Sequence, residues 1–125
     1  MAFHADLYGY IARKEAEHIP PEVLEEIHRS SIPLFSATSF SAPAASRMGH
    51  YTSFACSVRF DAGEDDMWIA PFEMILKRIN FLRAEVIIDH EESSSPMQYS
   101  YVKLDVIKKF VTRLNGQLLE ESAIG

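Results

Sequence analysis

A single cysteine, Cys56, excludes an intrachain disulfide and any cysteine-cluster metal site. Basic residues are also scarce. With 12 of them against 18 acidic ones, the formal net charge is −6, which disfavours phosphate backbones and anionic membranes as main targets. No apolar run suits a bilayer, because the longest charge-free stretch, Ser30 to Ser46, is broken by prolines and serines. The opening MAFHADLYGY has neither a basic n-region nor an apolar h-region, so no secretory signal is read there and a cytoplasmic location is the expectation. There is no internal repeat and no heptad run. Phosphate-loop, dinucleotide-binding, nucleophile-elbow and C-x-x-C motifs are missing, and the histidines at 4, 18, 28, 50 and 90 have no H-E-x-x-H spacing. No catalytic residue, cofactor or metal is therefore expected.

What remains is one domain's worth of chain, 125 residues with 47% hydrophobic content, enough for a real core. Residues 3–11 alternate Phe3, Ala5, Leu7, Gly9 and Ile11 against His4, Asp6, Tyr8 and Tyr10, the pattern of a strand buried on one face. Pro20-Pro21 suits the start of a helix carrying Val23, Leu24 and Ile27, with Glu22, Glu25 and Glu26 in water. Residues 32–49 are rich in Ser, Ala and Pro and read either as a short strand around Leu34 to Phe40 or as a long ordered loop. Tyr51 to Phe60 alternates Phe54, Cys56, Val58 and Phe60 against Tyr51, Ser53, Ser57 and Arg59. After the turn DAGEDD comes a helix with Ile69, Phe72, Ile75, Leu76 and Ile79, with Pro71 in its first turn or kinking it. Arg83 to Glu91 and Met97 to Leu104 read as a hairpin. Asp105 is then expected to cap a final helix bearing Ile107, Phe110, Val111, Leu114 and Leu118. This order predicts a single α+β domain over 1–125. It has two layers, with helices on one face of a mainly antiparallel sheet, and the ferredoxin-like arrangement is its nearest general form.

All five tyrosines, Tyr8, Tyr10, Tyr51, Tyr99 and Tyr101, fall opposite the aliphatic phase of their strands. The expectation is therefore one phenol-rich face, flanked by Glu85, Asp89 and Glu91, which meets a protein partner. Tyrosine gives large, stiff contact area at low entropic cost and is favoured at interface hot spots. Exposed cross-strand aromatic pairs also stabilise a sheet without any partner, and a homodimer would hide the same rings. Base stacking on such a face needs cationic surroundings, which these carboxylates deny.

Other constellations are weaker. His90, Glu91 and Glu92 could ligate a metal, yet they lie in turn composition. Cys56 shares its phase with Phe54 and Val58 and reads as core rather than nucleophile. Asp6 with Glu85 or Asp89 would make an acid–base pair only if their strands adjoin. Trp68 reads as a staple over the core edge.

Size, acidity and the lack of catalytic motifs are in the style of small immunity or inhibitor proteins. The expected function is a protein-binding module (inhibitor, immunity factor or adaptor) with a basic partner. The alternative is a small-molecule enzyme or ligand-binding domain. Its pocket would lie between the sheet and the 32–49 loop, lined by His4, Asp6, His50 and Asp89.

Overall fold

The computed structural model describes residues 2–14, 16, 18–30, 35, 40–47, 49–61, 66–90 and 96–124. In chain order its elements are β1 (Ala2–Arg13), α1 (Pro21–Ser30), β2 (Ala44–Ser46), β3 (Gly49–Asp61), α2 (Asp66–Arg78), β4 (Arg83–His90), β5 (Met97–Lys103), β6 (Ile107–Arg113) and β7 (Leu118–Ile124). The strands form one seven-stranded sheet in the order β2-β3-β1-β4-β5-β6-β7, and every neighbouring pair is antiparallel. The protein is thus α+β.

β1 is the spine of the sheet. It pairs along its whole length with β3 and, on its other side, with β4. Its inward phase packs Ala5, Leu7 and Ile11 at 0–1% exposure. Gly9 shares that phase for a different reason. A Cβ there would stand 1.9 Å from the Glu85 carbonyl oxygen, so only glycine lets the β1 and β4 backbones approach this closely.

α1 begins with Pro21, whose fixed φ and missing N–H suit a first helical turn. The amides of Val23 and Leu24 reach back to the Pro20 carbonyl at 3.1 and 3.4 Å. Val23, Leu24 and Ile27 are buried and Glu22, Glu25 and Glu26 exposed, as their spacing predicts. α2 buries Trp68, Phe72, Ile75 and Leu76, and Ile79 is buried just past its end. Pro71 is buried in its second turn, where the proline nitrogen removes one intrahelical donor. The buried residues of both helices and one phase of the sheet form a single hydrophobic cluster. Phe35 ties the 32–49 region into it, with ring centroids 5.8 Å from Phe54 and 5.6 Å from Phe72. Phe40 makes a lone bridge to Phe54. The choice between a short strand around Leu34 to Phe40 and a long ordered loop otherwise falls outside the described residues.

The C-terminal segment departs from expectation. Residues 105–118 do not make a helix; β6 and β7 form a hairpin instead. Ile107, Lys109 and Val111 point inward while Lys108, Phe110 and Thr112 lie on the other phase. The spacing of Ile107, Phe110, Val111 and Leu114 fits a helix on paper, but β-branched Val106, Ile107, Val111 and Thr112 favour a pleated surface. Asn115-Gly116 then closes the hairpin. Gly116 takes φ +94°, its amide donates to the Arg113 carbonyl at 2.9 Å, and the Gln117 amide donates to Asn115 Oδ1 at 3.0 Å. With these two strands the sheet is larger than the ferredoxin-like arrangement that the element order suggested.

Candidate functional site

The register decides where each tyrosine goes, because directly opposed residues of an antiparallel pair share a face. Tyr8 opposes Ala55 of β3 and Ile87 of β4, and Tyr10 opposes Ser53 and Glu85. Tyr51, on the same phase, completes a cluster at one end. Its ring meets that of Tyr10 edge-on at 5.2 Å, and the Arg83 guanidinium lies 5.8 Å from the Tyr10 centroid. Tyr8 is 42% exposed, while Tyr10 and Tyr51 are half-buried by their neighbours. Burial, and next the Glu85 carboxylate, raise the Tyr10 phenol above its ordinary pKa, with Arg83 pulling the other way.

Tyr99 and Tyr101 do not join this group. Tyr99 opposes Val86, and Tyr101 opposes Ala84, both on the core phase of β4. They are 6% and 0% exposed. Tyr99 packs edge-on against Trp68 at 4.7 Å, and Tyr101 lies 5.7 Å from Phe72. The expectation of five phenols on one face is corrected to three. The physical reason is room: the small Ala84 side chain leaves space across the strand pair for the Tyr101 ring, whereas Gln98 and Ser100 take the other phase. Trp68, expected to cover the core edge, lies fully within the core.

The Tyr101 hydroxyl is held by a polar group inside the core. It donates to Glu73 Oε2 at 2.9 Å, and the same oxygen accepts from Lys109 Nζ at 2.7 Å. The Lys109 ammonium also stands 5.6 Å from the Tyr99 ring centroid. A lysine this deeply placed requires such a partner. Desolvation first, then the Glu73 carboxylate, push the Tyr101 phenol far above its usual range. Sequence reading missed this triad, since nothing in it pairs positions 36 residues apart.

The proposed carboxylate pair is adjacent in register: Asp6 opposes Asp89. Asp6 accepts a hydrogen bond from Ser57 Oγ at 2.7 Å, and a shallow cavity of about 120 Å³ is lined by His4, Ala5, Asp6 and Asp89. His50 is elsewhere, paired with Arg13 at the far end of β1, seven residues from Asp6 and thus about 23 Å along the strand. The four residues assigned to an enzyme-like pocket therefore do not converge. Among the described residues no group of three His, Cys, Asp or Glu is placed to hold a metal ion. Glu91, Glu92 and the side chain of His90 lie outside the described residues. Burial, and next Asp6, push the Cys56 thiol up to about 11, so little of it is thiolate at neutral pH.

Glu85 and Asp89 share the outer phase with the three tyrosines. Ile87 shares it too, as the alternation of its strand predicts, and two further residues, not expected there, are Val102 and Phe110. Phe110 opposes Ser100, a position that assignment to a helix had hidden. Compared with family models, curated proteins and solved structures, the chain matches none of them. Among the described residues no helix is long and apolar enough to cross a membrane.

Proposed function

We propose that this chain is a small acidic protein-binding module, an inhibitor, immunity factor or adaptor of the cytoplasm. It meets a basic partner protein through the sheet face that carries Tyr8, Tyr10 and Tyr51. The observation that carries the reading is the contiguity of this patch. Tyr8, Tyr10, Tyr51, Arg83, Glu85 and Ile87 are cross-strand neighbours on the phase opposite the hydrophobic cluster. In this reading both helices cover the inner face in a two-layer arrangement and leave the outer face free for a partner. The Tyr10 and Tyr51 rings, braced by each other and by Arg83, lose little freedom on binding, which suits them as anchors. Asp6, Glu85 and Asp89, in a chain of net charge −6, favour basic surfaces and speed encounter with them. The pocket alternative has no comparable support, because His50 stands apart from His4, Asp6 and Asp89.

The test is affinity capture from native lysate with the natural chain and with a Tyr8→Ala/Tyr51→Ala double variant whose melting temperature is checked first. A polypeptide held by the natural chain and weakened at least about tenfold by the variant supports the reading. Equal capture by both chains overturns it. So does a concentration-dependent mass of the isolated chain that the same variant abolishes, which would make this face a homodimer interface instead.

A further inference from the structure

The two edges of the sheet are built differently. A free strand edge offers unpaired amides and carbonyls to any extended chain, so edges are normally short, interrupted by proline, charged with lysine or covered. β2 obeys this rule with three residues. β7, at the other end, has seven residues with no proline and no basic side chain, and among the described residues nothing pairs with its outer side. Its residues are mostly exposed on both phases, Leu118 by 52% and Leu119 by 40%. Of the eight large exposed apolar side chains among the described residues, Leu118 and Leu119 lie on β7 and Leu114 in the turn that leads into it. The only charges on the strand are Glu120 and Glu121.

We propose that β7 is a docking edge for an extended protein segment that alternates basic and apolar residues and adds to the sheet as an eighth strand. Main-chain hydrogen bonds along seven residues would supply the affinity, and contacts to the side chains of β7 the selectivity. Charge chooses the occupant. A second copy pairing antiparallel along the whole strand would set Glu121 opposite Glu121, and like charges facing across strands destabilise pairing. A lysine or arginine opposite Glu121 reverses the sign, and alternation keeps the segment's other basic residues on that same face. This site shares no residue with the tyrosine face and stands or falls independently of it.

The experiment titrates the full chain with the acetylated peptide Val-Lys-Thr-Lys-Thr-Lys-Val, whose central lysine opposes Glu121 when it pairs along the whole strand, and, as control, with its counterpart in which glutamate replaces lysine. Amide NMR shifts and exchange rates report the site. The basic peptide is expected to shift and protect the amides of residues 118–124, and the acidic peptide to leave them unmoved. Glu121→Lys is expected to weaken the basic peptide at least about tenfold without changing the melting temperature, and Tyr8→Ala to leave it unaltered. Absent binding, equal binding of both peptides, shifts confined to other strands, or a dimer formed through β7 would each overturn the proposal.

Discussion

Tyr8 and Tyr101 look alike in sequence, each on an alternating strand among polar and aromatic neighbours, yet they have opposite fates. Tyr8 stands 42% exposed between Ala55 and Ile87, whereas Tyr101 is wholly buried, with its hydroxyl on Glu73 and its ring near Phe72. The difference lies in what the partner strands bring to each position. Ala84 opens space opposite Tyr101, and Glu73, itself held by Lys109, accepts from its hydroxyl; among the described residues nothing gives Tyr8 comparable cover. A phenol in a strand is thus an amphipathic group whose side is chosen by register and by the polar partner it finds.

Substitutions can break this contrast. Tyr101→Ala is expected to have the largest effect, about 3–5 kcal/mol of lost stability in chemical denaturation, from the cavity left in the core. Lys109→Met leaves the largely buried Glu73 carboxylate without its cation and is expected to cost about 2–3 kcal/mol. Adding Glu73→Leu should recover most of that, and failure to recover would mean the triad is not a coupled unit. Gly9→Ala is expected to cost about 1–3 kcal/mol by forcing β1 away from Glu85. Tyr101→Phe is expected to cost about 1 kcal/mol at neutral pH. It should also change the alkaline limb of the stability curve. The folded phenol titrates above its unfolded value of 10.0, so its contribution is full below that pH and declines as pH rises beyond it. The phenylalanine variant should therefore lose less stability above pH 10 than the natural chain. Tyr8→Ala, at the small end, is expected to stay within about 0.5 kcal/mol.

Much of the fold is legible in the residues. The alternation in β1, β3 and β4 and the apolar stripes of α1 and α2 mark elements whose buried positions match, from Leu7 and Ile11 to Phe72 and Leu76. The C-terminal hairpin is not legible from spacing alone, because Ile107, Phe110, Val111 and Leu114 satisfy a helical period as well as a strand pair. Asn115-Gly116 was the deciding local signal, a turn dipeptide that needs a positive φ. The side chosen by β5 was also marked, since Gln98 and Ser100 make its other phase the polar one. What no local pattern carries is register. The pairing of Ala84 with Tyr101 and the convergence of Lys109 on Glu73 then fix Tyr99 and Tyr101 in the core. The outer patch was accordingly half legible: Tyr8, Tyr10, Tyr51, Glu85 and Asp89 were anticipated there, Phe110 was not.

Hydroxyl-radical footprinting of the native chain, read ring by ring by mass spectrometry, tests the partition of the tyrosines without depending on their ionisation. Tyr8 should be oxidised readily, Tyr10 and Tyr51 more slowly, and Tyr99 and Tyr101 only after denaturant unfolds the domain. Oxidation of Tyr99 or Tyr101 at the rate of Tyr8 in the folded chain would contradict the register on which the two faces rest.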